Sequence, residues 1–180
     1  MTTHLPETTQ LSRGEAALTP KSTAAVLDLE ARTKGTRLRG PASSVDQWAQ
    51  SWFTMVRHPW SSLVLVPADQ GTSALVVARR LAEIALEYHH EPIAVVDAER
   101  LTAKDLGALL PQIEERTRAG GRVLIAVPSP LVHYAAVPIA RSADAAVLLV
   151  GIGRTAFSQA RKTVECVGGA SFIGCITVRR

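Results

Sequence analysis

The segment 61–82 carries the strongest structural signal in this chain. Its consecutive apolar residues 63–66 predict a short buried strand. Residues 67–71 interrupt this run with proline, aspartate and glycine, and apolar residues then recur at helical spacing from Leu75 to Ala85. The segment therefore predicts a strand, a tight loop and a helix, which is the repeating unit of α/β proteins.

Four further apolar runs alternate with helical patterns. These runs predict strands at residues 92–99, 122–127, 145–150 and 170–178, with helices at residues 102–118, 131–141 and 155–167 between them. Strands joined in this way need right-handed crossovers, and their continuous hydrophobicity is typical of strands covered on both faces. We expect an α/β fold with a mostly parallel sheet of five or slightly more strands and helices on both faces.

The composition and the absence of long apolar segments favour a single-domain cytoplasmic protein. The chain has 180 residues, 47% of them hydrophobic, which is enough for one core. Residues 1–42 are rich in Thr, Ser, Ala, Pro and charge and predict a flexible N-terminal arm, so residues 43–180 form the expected α/β domain. The sequence has no long apolar run and no signal-like N-terminus, so we expect a cytoplasmic protein without a membrane span. The net charge of +4 is scattered and does not indicate nucleic-acid binding.

The loop between the first strand and its helix has the position of a phosphate-binding loop. Such loops turn backbone N–H groups inward and end at the positive N-terminus of a helix. The P-loop pattern is G-x-x-x-x-G-K-[ST]. In this chain Val66 takes the first glycine position, Gly71 the second, Thr72 the lysine position and Ser73 the hydroxyl position. The alternative interpretation is a simple helix N-cap by Thr72 or Ser73 after a glycine turn.

The order of these landmarks resembles the MinD/ParA-type deviant Walker ATPases. It is most similar to the cytoplasmic tyrosine kinase domains that regulate bacterial capsular and exopolysaccharide export. Residues 67–74 align with the phosphate loop of that family, Asp97 with the first acid of its next strand, and residues 143–150 with its A-D-x-V-L-L-V strand. The resemblance covers residues 43–180 and implies a P-loop NTPase-like fold.

Two departures from the family pattern predict a loss of catalysis. Thr72 replaces the lysine that contacts the phosphates, and Ala126 replaces the aspartate that holds magnesium. We therefore expect no catalytic residue, no metal site and no cofactor, with Gly71, Thr72, Ser73 and Asp97 left as a degenerate nucleotide site. Asp97 has two interpretations, a turn cap at the end of a strand or a remnant of the metal shell.

The expected function is that of a catalytically inactive domain, a pseudo-ATPase or pseudokinase, that acts through protein contacts in polysaccharide biosynthesis or export. The resemblance implies an inner-membrane chain-length or export protein as the partner, which would recruit the protein to that membrane. One alternative is an ATPase or tyrosine kinase that binds Mg-ATP and receives its missing cation from a partner. Another is a partition-like or MinD-like assembly factor.

A helix predicted over residues 44–57 carries the candidate contact surface. Its apolar residues include Trp48, Trp52 and Phe53, which form one broad aromatic face. This face either covers the core or binds a partner or a second copy of the chain. Because tryptophan is a favoured anchor at interfaces, we predict that Trp48, Trp52 and Phe53 contact a partner.

Overall fold

The fold is described by a computed structural model that covers residues 42–102 and 104–179. The arm predicted for residues 1–42 lies outside this range, apart from Ala42, which begins the first helix. None of the helices in the described ranges is long and apolar enough to cross a lipid bilayer.

The described chain alternates helices and strands as the sequence predicts. The helices are α1 (Ala42–Met55), α2 (Ala74–His89), α3 (Leu106–Arg118), α4 (Ala136–Ser142) and α5 (Phe157–Val167). The strands are β1 (Ser62–Pro67), β2 (Ala94–Asp97), β3 (Val123–Ala126), β4 (Ala145–Gly151) and β5 (Phe172–Val178), with a short 3-10 turn at Gly169–Ser171 before β5.

All five strands are parallel and form one sheet in the order β2-β3-β1-β4-β5. The predicted α/β fold class is therefore confirmed. β1 lies at the centre, and all six of its residues are buried, as are all four residues of β3. Burial on both faces explains why these strands read as uninterrupted apolar runs in the sequence.

Helices cover the sheet on both faces, and alternate residues of β1 supply the two cores. Leu63 and Leu65 pack with α1 and α2 on one face. Val64 and Val66 pack with α3, α4 and α5 on the other face. This division follows from right-handed crossovers, because only the connection from β1 to β2 runs toward the β2 edge of the sheet.

The central helix α2 is fixed at both ends. Ser73 is its N-cap and accepts a hydrogen bond from the Val76 N–H at 3.4 Å. Its buried stripe has helical spacing and consists of Ala74, Val77, Ala78, Leu81, Ile84 and Ala85. The helix ends at His90, which adopts a left-handed conformation (φ 53°) and donates its N–H to the Leu86 carbonyl.

Asp144 joins the first residues of two neighbouring strands at the opposite edge of the sheet from the β1–α2 loop. One of its carboxylate oxygens accepts hydrogen bonds from the backbone N–H groups of Ser61 and Ser62, at 2.9 and 2.8 Å, and from the Ser62 hydroxyl at 3.0 Å. Partial burial raises the pKa of this carboxyl, but the hydrogen bonds from Ser62 and Ser61 outweigh it and hold the pKa below its ordinary value of 3.8. Asp144 therefore has a structural role at the start of β1 and β4.

We predict that Asp144→Asn lowers the free energy of unfolding by about 1 kcal/mol at neutral pH, because it weakens a charge-assisted contact that solvent partly screens. Since the folded-state pKa lies below the unfolded value of 3.8, this stabilisation is present above that pH and is lost as the pH falls below it. Urea unfolding from about pH 6 to about pH 3 should show the difference between wild type and variant shrinking. Glu115→Gln, which removes an exposed carboxylate of α3, is the control and should leave stability unchanged.

Candidate functional site

The candidate site lies at the carboxyl end of β1, in the middle of the sheet. From this point the chain continues into α2 on one face, whereas the neighbouring strands β3 and β4 lead to α4 and α5 on the other face. Connections that diverge in this way leave a crevice, and open α/β sheets bind ligands at such switch points. The predicted residues Gly71, Thr72 and Ser73 lie in the loop at this crevice.

A single carboxylate, that of Asp69, organises the loop after β1. It accepts a hydrogen bond from the Gly71 N–H at 2.7 Å and lies 3.2 Å from the Thr72 hydroxyl. It also accepts the hydroxyl hydrogen of Thr155, which lies in the connection after β4. The Thr155 oxygen in turn accepts the Gly151 N–H at 2.8 Å. Asp69 therefore ties the β1–α2 loop to the β4–α5 loop.

Arg154 reinforces the same junction from the β4–α5 side. Its guanidinium donates to the Gly71 carbonyl at 3.0 Å and to the Thr72 hydroxyl at 3.3 Å. The approach is so close that a Cβ at Gly151 would lie 2.9 Å from the Thr72 oxygen and 3.0 Å from Arg154. A side chain at position 151 would therefore displace the Thr72 hydroxyl or the Arg154 guanidinium from this junction.

A second carboxylate, that of Glu99, occupies the N-terminus of α2. It accepts hydrogen bonds from the Ser73 hydroxyl at 3.0 Å and from the Leu75 N–H at 3.1 Å. A side-chain carboxylate is favoured there, because the first N–H groups of a helix have no partner within the helix. Glu99 comes from the segment after β2, so it also joins two connections at this edge of the sheet.

Asp97 does not join either cluster through a hydrogen bond within the described contacts. Its exposed carboxylate accepts the N–H of Glu99 at 3.1 Å, which is the local geometry of an aspartate turn. This contact is the turn cap that the sequence offers as one of the two interpretations of Asp97. In the described ranges no group of three or more His, Cys, Asp or Glu side chains is arranged to hold a metal ion.

The hydrogen bonds keep Asp69 ionised even though it is only 8% exposed. Its burial raises the pKa of the carboxyl, but hydrogen bonds from Thr155, Gly71 and Thr72 and the charge of Arg154 outweigh this effect. The net result is a pKa below the ordinary value of 3.8. The loop therefore holds an ionised carboxylate, next to the Arg154 cation, where a phosphate-binding loop presents free N–H groups to its ligand.

The sequence interpretation found the loop but missed four of the residues that define it: Asp69, Glu99, Arg154 and Thr155. A signal for Asp69 was present, because aspartate two residues before glycine is typical of an aspartate turn. The contact between Asp69 and Thr155 spans 86 residues, and no local pattern indicates such a pair.

The three aromatic residues predicted to contact a partner occupy different environments. Trp52 is fully buried and packs edge-to-face against Trp60 at 6.0 Å, so its predicted surface role is wrong. Helical spacing turns it inward together with Ala49 and Met55. Trp48 is half-buried against the same core. Phe53 remains exposed and packs edge-to-face against Tyr88 at 5.8 Å.

Comparisons with known proteins give little further information. No protein-family model matches this chain, and no curated protein sequence matches it. Among the solved structures that match is a universal stress protein in complex with cAMP, which is 21% identical and has a TM-score of 0.26. The match covers 67% of this chain and 98% of that chain. A similarity this weak carries no argument about function.

The resemblance to MinD/ParA-type ATPases and to bacterial tyrosine kinases is wrong. No protein-family model and no curated sequence of that class matches this chain, and the matching solved structure named above is a universal stress protein. The physical reason is visible in the loop. The Gly71 N–H and the Thr72 hydroxyl both donate hydrogen bonds to Asp69 of the same loop, and Ser73 caps α2. The spacing of Gly71 and Ser73 that this chain shares with phosphate loops therefore reflects a turn and a helix cap.

We predict that Asp69→Ala lowers the free energy of unfolding by about 2 kcal/mol, because it leaves the Gly71 N–H and the hydroxyls of Thr72 and Thr155 without this acceptor. Thr155→Val in the same background should cost less than it does in wild type, since the two residues share one interaction. Chemical denaturation of the four proteins in this cycle measures the coupling. Strict additivity would contradict the described network.

We also predict that Trp52→Ala lowers the free energy of unfolding by about 3 to 5 kcal/mol, because it leaves a large cavity in the core. Phe53→Ala, one residue further along α1, should cost clearly less, about 1 kcal/mol, since that side chain is 42% exposed and lies outside the core. Thermal and urea unfolding followed by circular dichroism distinguish the two. Equal losses would contradict the inward orientation of Trp52.

Proposed function

We propose that this chain is a non-catalytic α/β domain that binds another protein through the loops at the carboxyl edge of its sheet. The observation that carries the proposal is that side chains of the protein itself fill the anion-binding positions there. Asp69 accepts the loop N–H, and Glu99 accepts an N–H at the start of α2. Neither of these N–H groups is therefore free to bind a phosphate.

Electrostatics argues against a nucleotide at this site. Two negative unit charges about 4 Å apart repel by about 4 kcal/mol at an effective dielectric constant of about 20. That is about a thousandfold loss in affinity for each such contact. The charge of Arg154 offsets part of this repulsion, but its guanidinium is held in place by the Gly71 carbonyl and the Thr72 hydroxyl.

The same edge exposes apolar side chains. Tyr134, in the connection after β3, is 77% exposed, and Phe157, at the start of α5, is 84% exposed. Val132 and Ile152, in the connections after β3 and β4, are exposed as well. Because β3, β1 and β4 are adjacent and parallel, the connections that follow them meet at one edge. Exposed aromatic groups of this kind are enriched at protein interfaces.

Nucleotide binding completed by a partner is the second candidate, and the loop position at the central strand favours it. In that case a partner would have to supply a cation and displace Asp69 from the loop. The polysaccharide export partner and membrane recruitment followed only from the family resemblance, so they are not part of this proposal. Partition-like assembly has no supporting contact among the described residues.

We expect isothermal titration to show no binding of Mg-ATP or Mg-ADP by the wild-type protein. Thr72→Lys should also give no measurable ATP hydrolysis, because Ala126 supplies no carboxylate for magnesium. Micromolar affinity of the isolated wild-type chain for either nucleotide would favour the second candidate and contradict the proposal.

A double variant, Tyr134→Ser with Phe157→Ser, tests whether the carboxyl edge of the sheet binds another protein. Both side chains are exposed, so we expect normal circular dichroism and the loss of cellular proteins that the wild-type chain retains on a column. Tyr88→Ser, which removes an exposed aromatic ring from the far end of α2, is the matched control and should retain them. Equal retention by the double variant and wild type would show that the carboxyl edge is not the contact surface.

A further inference from the structure

The two edge strands of the sheet differ in a way that bears on assembly. β2 is four residues long and ends in the exposed Asp97. β5 has seven residues, Phe172 to Val178, and none of them is charged or is proline. Short length and charge at an edge prevent pairing with another chain, and β5 lacks both protections.

The outer side of β5 offers backbone groups for a further strand. The Val178 carbonyl accepts the Ile152 N–H at 3.0 Å, so the backbone groups of Val178 are directed toward β4. Alternate residues of a strand direct these groups to opposite sides, which directs those of Cys175 and Thr177 outward. Within the described residues β5 pairs with β4 alone, and the side chains of Cys175 and Thr177 are exposed.

A groove lies beside this edge, between β5 and α1. It has a volume of about 220 Å³, and its walls include Ser51 and Thr54 of α1 and residues 173–176 of β5. The hydroxyls of Ser51 and Thr54 donate hydrogen bonds to carbonyls of their own helix at 2.8 and 2.9 Å. They therefore do not need a hydrogen-bond partner from a molecule that occupies the groove. The groove can therefore accept apolar side chains next to a newly paired strand.

We propose that β5 pairs in antiparallel fashion with β5 of a second copy of this chain. A two-fold axis perpendicular to the sheet relates the copies, and the two sheets join into one of about ten strands. A second copy fits this edge because a two-fold axis places the strand against itself, and like charges that face each other across strands are destabilising. Since β5 is uncharged, self-pairing carries no such penalty.

The position of α1 supports the same arrangement. α1 borders β5 on one face of the sheet, so the two-fold axis brings both copies of α1 to the same face of the joined sheet, on either side of the seam. Cys175 lies near the middle of β5, so the two Cys175 thiols approach each other across the seam.

The experiment measures the oligomeric state of the full chain by sedimentation equilibrium. Wild type is expected to form a dimer, and Cys175→Lys is expected to raise the dissociation constant at least about tenfold by placing like charges opposite each other at the centre of the seam. Ala108→Lys adds the same charge to an exposed position on α3 and should dimerise like wild type. Circular dichroism checks that each variant is folded.

A second measurement does not depend on the lysine variant folding. In a Cys166→Ser background, a short dithiol-reactive cross-linker should join two chains through Cys175, and Cys175→Ser should abolish the product. A monomeric wild type overturns the proposal, and this is also the result expected if residues 1–41 cover the edge. Unchanged dimerisation of folded Cys175→Lys, or a dimer that gives no Cys175 cross-link, overturns it as well.

Discussion

The buried Asp69 carboxylate is the interaction on which the carboxyl edge of the sheet depends. It lies at the end of the central strand β1 and binds groups from two connections, one leading to α2 and the other to α5. An ionised group that is only 8% exposed persists when several donors surround it, and Gly71, Thr72 and Thr155 supply them. These hydrogen bonds fix the loop in one geometry.

Glu99 and Arg154 also hold backbone groups in place at the carboxyl edge of the sheet. In nucleotide-binding proteins a glycine loop and a helix N-terminus present free N–H groups to a phosphate. Here Glu99 meets the N-terminus of α2, and Arg154 meets the carbonyl of Gly71. Asp69, Glu99 and Arg154 therefore occupy several polar groups of the crevice, and the same edge exposes the rings of Tyr134 and Phe157. These two features are the basis of the proposed role of this edge in protein contacts.

Much of the fold could be predicted from the sequence, because each element carries a local pattern. The apolar run at residues 63–66 predicted β1, and Ser73 was predicted as one of two possible caps of α2. The face of α1 was harder to predict, since Trp48, Trp52 and Phe53 together exceed the width of one buried stripe. Helical geometry alone did not show that Trp52 points into the core while Phe53 points outward. That outcome depends on where Trp60 and α2 lie in the tertiary structure.

The sequence by itself determined that strands and helices alternate and that the sheet is parallel, because hydrophobic periodicity and crossover handedness are local properties. Only the tertiary structure decided what fills the loop after β1. Asp69 and Thr155 are 86 residues apart, and Ser73 and Glu99 are 26 apart, so their contacts depend on the strand order β2-β3-β1-β4-β5. The spacing of Gly71 and Ser73 is compatible with a phosphate site or with a capped turn. In the tertiary structure Asp69 of the same loop occupies the turn and is joined by the distant Thr155, and the distant Glu99 carboxylate lies at the start of α2.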